Sequence, residues 1–548
     1  MDTPSRPEPT SIQNDASDSL PPSLAGRVPI ACPVKGGEFP QVIPALETHK
    51  GRNLILCFDG TGDQYDHDNS NIVRFFQLLK KDDRSKQMVP AVYYQAGLGT
   101  GINSRGPTNS LFNKISKAVD GAIATGLGTH VRGGYEFLMQ NYTEGDRISM
   151  FGFSRGAYTA RALAGMLHKV GLLPAHNHEQ VKFAYHMFKR DDEEGWKMSN
   201  GFKRAFSIDV KIDFLGVFDT VNSVGIIPRE LPFAKSNYLV RVFRHAVALD
   251  ERRAKFKANL WGWSTEQEEK LCEGGKHKKY HKPERQGSLG TVWELISGGD
   301  EKDDRGRTKE RAGSDSPVHR NGYDFASPEE REHQTNVKEV WFAGAHCDVG
   351  GGSVRNETPN DLARIPLRWM IRECFVNNTG ILFHSSELNE LGLCPTTLWP
   401  VVKIPTPPES KLADTDGDSG HHDGHAGEAT DSTAVNVPLP SPDNIVPNKK
   451  IRLGSADDEK DALQPIYDQL SIKRTWWILE VLPMRQRYQR HDGTWVSWFS
   501  VNMGGPRLIH GQKRFPTHVH RSVLYRMQET GYKPRAELLR EPEPVWVD

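Results

Sequence analysis

Apolar residues in this chain gather into short continuous runs, and these alternate with longer stretches of helical spacing. Asn53-Leu54-Ile55-Leu56-Cys57-Phe58 is the first such run, and it ends in Asp59-Gly60-Thr61-Gly62. A run without polar alternation is what a strand covered on both faces requires, as in a parallel sheet. Asn71–Lys81 then sets Ile72, Val73, Phe76 and Leu79 on one helical side. Val89–Tyr94 reads as a second strand. Leu111–Tyr142 reads as mainly helical, with glycine interruptions around Gly126 and Gly133. Arg147–Phe153 is a strand running into a helix that ends at about Leu173. Asp209–Asp219 is a further buried strand ending on an acid, and Asn237–Leu260 carries helical periodicity. Val337–Ala345 returns to strand character, and Leu362–Phe375 to helix. This strand-then-helix order predicts an α/β fold, a mostly parallel sheet flanked by helices.

The pattern lapses in three places. Residues 1 to about 48 are rich in Pro, Ser and Asp and predict a disordered leader. From about 262 to 336 the chain turns charged, Gly-rich and Pro-containing, which predicts a disordered insertion within a main domain of residues 49–405. Residues 406–460 predict a disordered linker. It carries His421–His425, but flexible Gly-rich sequence fixes no coordination geometry, so this is read as solvated linker and not as a metal site. Beyond it, residues 461–548 are ordered in character and hold Trp476, Trp477, Trp495 and Trp498. They read as a C-terminal segment packing on or capping the main domain, or resting on a lipid interface. No internal repeat is visible.

Composition narrows the classes. The 548 residues contain 70 Lys+Arg and 70 Asp+Glu, so the net charge is near zero and nucleic acid is not expected as a partner. Cys32, Cys57, Cys272, Cys347, Cys374 and Cys394 are scattered without a C-x-x-C, which suits a reducing compartment better than a disulfide framework. The first twenty residues lack the apolar core of a signal peptide, and no run of about 18 apolar residues offers a spanning helix. The expectation is a soluble cytoplasmic protein, with peripheral membrane contact left open.

Four of the strands end in chemically capable residues: Asp59, Ser154, Asp219 and His346. In open parallel sheets, sites form at the carboxyl ends of strands. Gly152-Phe153-Ser154-Arg155-Gly156 is a G-x-S-x-G between strand and helix, where a tight turn exposes the serine hydroxyl as a nucleophile. Serine needs a base, and the base an orienting acid. His346 follows a strand among small residues and is the expected base, with His168, His518 and His520 as competitors. Asp219 is the expected acid, in the order Ser, Asp, His used by α/β-hydrolases. Asp348 is the alternative, its other role being to hold the Gly-rich turn through backbone hydrogen bonds. The Arg155 N–H, with that of Gly60 or Thr61, would form an oxyanion hole. A phosphatase of the D-x-D-G-T type is disfavoured because Cys57 stands at the nucleophile position. Gly97–Gly101 lacks the spacing of a nucleotide loop. The chemistry expected is therefore a serine hydrolase acting on a lipid or other ester, by an acyl-enzyme, with no metal or organic cofactor.

Leu56–Gly62 (LCFDGTG), Gly152–Arg161 (GFSRGAYTAR), Phe214–Val221 (FLGVFDTV), Ala248–Phe256 (ALDERRAKF) and Trp341–Gly352 (WFAGAHCDVGGG) together resemble the α/β-hydrolase domain family typified by type VI secretion lipase effectors of the first class. The resemblance covers roughly Arg52–Leu260 and Val337–Phe375, and continues weakly through Val519–Met527 and Gly531–Leu538. It implies an α/β-hydrolase fold, phospholipase activity on glycerophospholipids, and a triad on Ser154, Asp219 and His346. The long stretches at about 262–336 and 406–460 depart from it.

Overall fold

The computed structural model describes residues 39–46, 51–61, 63–83, 87–88, 92–97, 111–221, 239–262, 335–403, 451–489, 495–509, 517–538 and 544–548. For 82–83, 88, 111–125, 485–489, 495 and 537–538 only the backbone is described. Most of the leader, the insertion and the linker, His421–His425 included, lies outside these residues.

Eight strands make the central sheet: β1 (Asn53–Phe58), β2 (Val92–Gln95), β3 (Arg147–Phe153), β4 (Ile212–Phe218), β5 (Val240–Ala248), β6 (Asn336–Phe342), β7 (His518–His520) and β8 (Val545–Val547). They lie in the order β8-β7-β6-β5-β4-β3-β1-β2, and every neighbouring pair is parallel. The helices that matter here are α1 (Asn71–Leu78), α2 (Leu111–Asn141), α3 (Ser154–Val170), α4 (His178–Lys189), α5 (Glu193–Phe206), the short α6 (His346–Gly350), α7 (Arg364–Val376), α8 (Ala456–Ala462) and α9 (Arg521–Thr530).

Both faces of the sheet are covered, which is why β1 shows no polar alternation. Leu54, Leu56 and Phe58 pack in one core with Val131, Leu163 and Phe188 of α2, α3 and α4. Ile55 and Cys57 point the other way, into a core with Phe75 of α1 and Trp369 of α7. The chain leaves β1 toward β2, crosses back to β3, and then builds outward through β8. The direction of winding reverses between β1 and β3, which opens a crevice at their carboxyl ends.

Asn237–Leu260, expected to be helical, is the buried strand β5. Val242 and Ala246 face one core and Val240 and Phe243 the other, so every position but Arg241 is buried. Such a run fits helical and strand spacing alike, and the backbone pairing offered by β4 and β6 decides the outcome. The predicted linker also ends earlier than expected. Ser455 caps α8 by accepting from Asp457 and Asp458 N–H, and Asp458 and Asp461 of α8 bind the buried Arg368 of α7 at 2.6 and 2.7 Å. The charge that reads as solvated linker is here one side of a buried ion-pair cluster. Near the N-terminus, Val42–Ile43 pairs with Phe383–His384, inside the predicted leader. Cys394 is disulfide-bonded, against the expectation of free thiols, whereas Cys57, Cys347 and Cys374 are free. No described helix is long and apolar enough to cross a membrane.

The C-terminal segment adds β7 and β8 beyond β6 in the same sheet. Val519 and Trp546 pack with Val247 and Trp341 there.

Candidate active site

Ser154 is the first residue of α3, and the turn from β3 gives it φ of 57°. A non-glycine residue in this region is strained, and the strain is what lifts the hydroxyl out of the strand line. The two flanking glycines are required by contact. A Cβ on Gly152 would lie 2.6 Å from the Ala157 Cα, and one on Gly156 would lie 2.3 Å from the carbonyl oxygens of Phe58 and Asp59. The turn is thus pressed against the end of β1, at the crevice where the sheet reverses direction.

His346 begins α6, two strands beyond Asp219, which immediately follows β4. The His346 Nε2 stands 2.8 Å from Ser154 Oγ, and its Nδ1 stands 2.6 Å from Asp219 Oδ2. All three are buried. The imidazole lies between two rings, Phe153 at 4.7 Å and Phe256 at 4.8 Å between centroids. Burial lowers the His346 pKa from its ordinary 6.5, outweighing the hydrogen bond and charge of Asp219, which raise it. The ring is therefore neutral at pH 7 and able to accept a proton. For Asp219, burial disfavours the charge, but Arg507 and His346 outweigh it and hold the carboxyl below its ordinary range.

Arg507 is the member that sequence reading missed. Its Nη1 donates to Asp219 Oδ1 at 2.6 Å and its Nη2 to Asp219 Oδ2 at 2.9 Å, a bidentate pair. The same guanidinium donates to the carbonyls of Ala248 and Phe256. Glu251 and Arg253 were also missed as site residues. They form a buried forked pair after β5, with nitrogen–oxygen distances of 2.9 and 2.8 Å. The His346 N–H donates to Glu251 Oε2 at 3.3 Å. Reading β5 as a helix concealed that ALDERRAKF follows a strand end beside His346.

The loop after β1 divides the roles expected of it. Gly60 N–H donates to Asp59 Oδ1 at 2.8 Å, which removes it as an oxyanion donor in this conformation. Asp59 also accepts from Ser70 Oγ at 2.6 Å and Tyr94 Oη at 2.7 Å, so it holds the loop shape. Thr61 follows, and the Arg155 N–H belongs to the first turn of α3, whose N–H groups point out of the helix N-terminus. Asp63 lies over this loop, its pKa pushed up to about 8 by burial and by Asp59. Burial and the neighbouring Asp59 thus both favour its uncharged form.

The competing residues are accounted for elsewhere. Asp348 Oδ2 accepts from Ala345 N–H and from Tyr467 N–H, both at 2.9 Å, and thus holds the turn ahead of His346. His168 sits in the last turn of α3. Fourteen residues on from Ser154, it is about 21 Å away along the helix axis. His520 bonds Ser522 at 2.9 Å and caps α9, and burial lowers its pKa to about 3. His518 lies on the same strand, with its pKa lowered by burial to about 4. Gly97 N–H bonds the Asp63 carbonyl at 2.9 Å, and the rest of Gly97–Gly101 lies outside the described residues.

Residues 52–373 match the catalytic domain of the type VI secretion Tle1-like phospholipase effectors. The chain belongs to this family. Ser154, Asp219, Glu251, Arg253 and His346 all fall inside the Tle1-like span, whereas Arg507 falls outside it. The chain is 27% identical over 578 residues to the Saccharomyces cerevisiae (strain ATCC 204508 / S288c) protein named Uncharacterized protein YEL023C, covering 90% of this chain and 81% of that one. Two solved structures are more distant, each 16% identical. One is an uncharacterized protein from Pseudomonas aeruginosa, with a TM-score of 0.28 over 64% of this chain and 50% of that one. The other is the Tle1 effector bound to the VgrG spike from the type 6 secretion system, with a TM-score of 0.24 over 56% of this chain and 52% of that one. The match thus spans about half the length of these two Tle1-related or uncharacterized chains.

Proposed function

We propose that this protein is a serine hydrolase that cleaves a carboxylic ester of a lipid, most specifically a phospholipid, through a Ser154–His346–Asp219 triad and an acyl-enzyme. The hydrogen-bonded line from Ser154 Oγ through both ring nitrogens of His346 to Asp219 carries the reading. Membership of a phospholipase effector family supports the lipid substrate. The catalytic domain in this reading is residues 49–405, with residues 461–548 packed on it.

Ser154 Oγ attacks the ester carbonyl while His346 Nε2 takes its proton. Asp219 keeps the Nδ1 proton in place and stabilises the imidazolium that forms. The negative charge of the tetrahedral intermediate is held by the N–H groups of Arg155, in the first turn of α3, and of Thr61, in the loop after β1. His346 then gives its proton to the departing alcohol, leaving an acyl ester on Ser154. Water, deprotonated by His346, attacks that ester and frees the acid.

A fluorophosphonate probe should label the wild-type protein on Ser154, and Ser154→Ala should abolish labelling. A folded wild-type protein that takes no probe overturns the esterase reading and leaves a non-catalytic binding scaffold. The pH profile gives a second check. Protonated His346 cannot accept the serine proton, so kcat/KM falls as pH drops through the imidazole pKa. Because burial lowers that pKa, the acid limb is expected below pH 6.5. A limb above that value contradicts the neutral buried base.

A further inference from the structure

The C-terminal segment presents large apolar side chains to solvent in two stretches, one ahead of a hairpin and one running on from its second strand. Trp477, Ile478 and Leu482 precede the hairpin, and Trp498, Phe499 and Met503 lie on and just after its second strand; Ile478 is 55%, Phe499 74% and Met503 57% exposed. The hairpin pairs Met484–Gln489 with Trp495–Ser500, and Met484 opposite Ser500 brings Leu482 close to the chain leading to Met503. This two-stranded sheet is separate from the central one. An isolated hairpin is marginal in water, and clustered exposed apolar side chains mark interaction sites.

Three observations identify the partner. The patch is joined to the catalytic wall: Trp476 meets Phe256 at 5.6 Å between ring centroids, and Phe256 meets His346 at 4.8 Å. Its anchor is the buried Glu480, which accepts from Ala254 N–H at 2.7 Å and Gly504 N–H at 3.0 Å. Finally, between Ile472 and Met503 the sequence holds five basic residues (Lys473, Arg474, Arg485, Arg487, Arg490) against two acids, Glu480 and Asp492. Lys473 and Arg474 are exposed at the border of the patch. Exposed Trp and Phe with a basic margin are the chemistry of an interface with anionic lipid.

We infer that the face formed by Trp477–Leu482 and Trp498–Met503 docks the protein on an anionic lipid surface and brings the mouth of the Ser154 site to it. The docking half of this inference stands by itself, whereas its catalytic consequence rests on the esterase reading above. Two arms separate them.

In the first arm, full-length Ser154→Ala protein is floated with phosphatidylcholine vesicles, with and without phosphatidylglycerol. It should float with the anionic vesicles, and adding Ile478→Asp and Phe499→Asp should leave it at the bottom. Equal flotation with and without these two changes overturns the inference, as does no flotation at all. Loss of a homodimer in the double variant, with vesicle binding unchanged, assigns the face to a second copy of the chain and overturns it too. In the second arm, Ile478→Asp/Phe499→Asp in the Ser154 background should cleave a monomeric short-chain ester as the wild type does, and vesicle lipid about tenfold or more slowly. Equal losses on both substrates overturn the docking role. Activity on neither substrate in the wild type defeats the esterase reading and leaves the flotation result intact.

Discussion

Asp219→Asn is expected to lower kcat about 10⁴-fold with little change in KM, as loss of the orienting carboxylate does in a serine triad. The carboxylate accepts the Nδ1 proton of His346 at 2.6 Å, which leaves Nε2 unprotonated toward Ser154. An amide there can turn its NH₂ to the ring, fixing the opposite tautomer and placing a proton where Ser154 must deliver one. It also leaves Arg507 beside a neutral partner in a buried site, so a lower melting temperature should accompany the rate loss. Asp348→Asn is the control. Its Oδ2 faces the N–H groups of Ala345 and Tyr467, which an amide oxygen can still accept from. Steady-state kinetics on a soluble ester, scaled to the folded fraction, would show Asp348→Asn close to wild type. If Asp348→Asn lost the larger share of activity, the orienting role would pass from Asp219 to Asp348.

The parts of this site that were legible in the sequence are those coded locally. Ser154 stands in a turn whose glycines are demanded by the backbone of β1 and α3, and Asp219 and His346 each terminate an apolar run. Strand ends in a parallel sheet converge on one edge, so three separate runs were enough to bring the three side chains together. β5 reads as a helix because a strand buried on both faces shows no alternation of period two, and its apolar positions at 240, 243 and 247 also fit helical spacing. Misplacing β5 hid Glu251 and Arg253, which are meaningful only as residues following a strand. Gly60 was read as a donor from its position, but whether an N–H is already taken by a neighbouring carboxylate depends on side-chain rotamers that no pattern records. Arg507 lies 288 positions from Asp219, in a Gly504-Gly505-Pro506 turn that reads as ordinary loop. A buried acid calls for a cation, yet among 70 basic residues nothing in the sequence marks which one answers.

The C-terminal segment therefore does more than widen the sheet. It supplies the counter-charge of the proposed catalytic acid, from outside the span that matches the family. Arg507→Met should test what that charge does. Removing one partner of a buried ion pair costs about 3–5 kcal/mol, so a marked drop in thermal stability is expected. A purely structural arginine would do no more than this. The charge balance around His346 predicts a second effect. His346 faces Asp219 from β4, Glu251 and Arg253 from the stretch after β5, Cys347 and Asp348 on its own helix, and, through Asp219, Arg507. With Arg507 in place, Asp219 is already neutralised, and protonating His346 adds an unbalanced positive charge. Without it, the same protonation neutralises Asp219. The His346 pKa should then rise by at least about one unit, moving the acid limb of kcat/KM to higher pH. Arg507→Lys keeps the charge but not the fork, so its limb should stay near the wild-type position while kcat falls through looser holding of the carboxylate. It also covers the case in which the Met variant does not fold. An acid limb that stays fixed in folded Arg507→Met, or a Lys variant shifted as far as the Met variant, would confine Arg507 to holding the C-terminal segment in place.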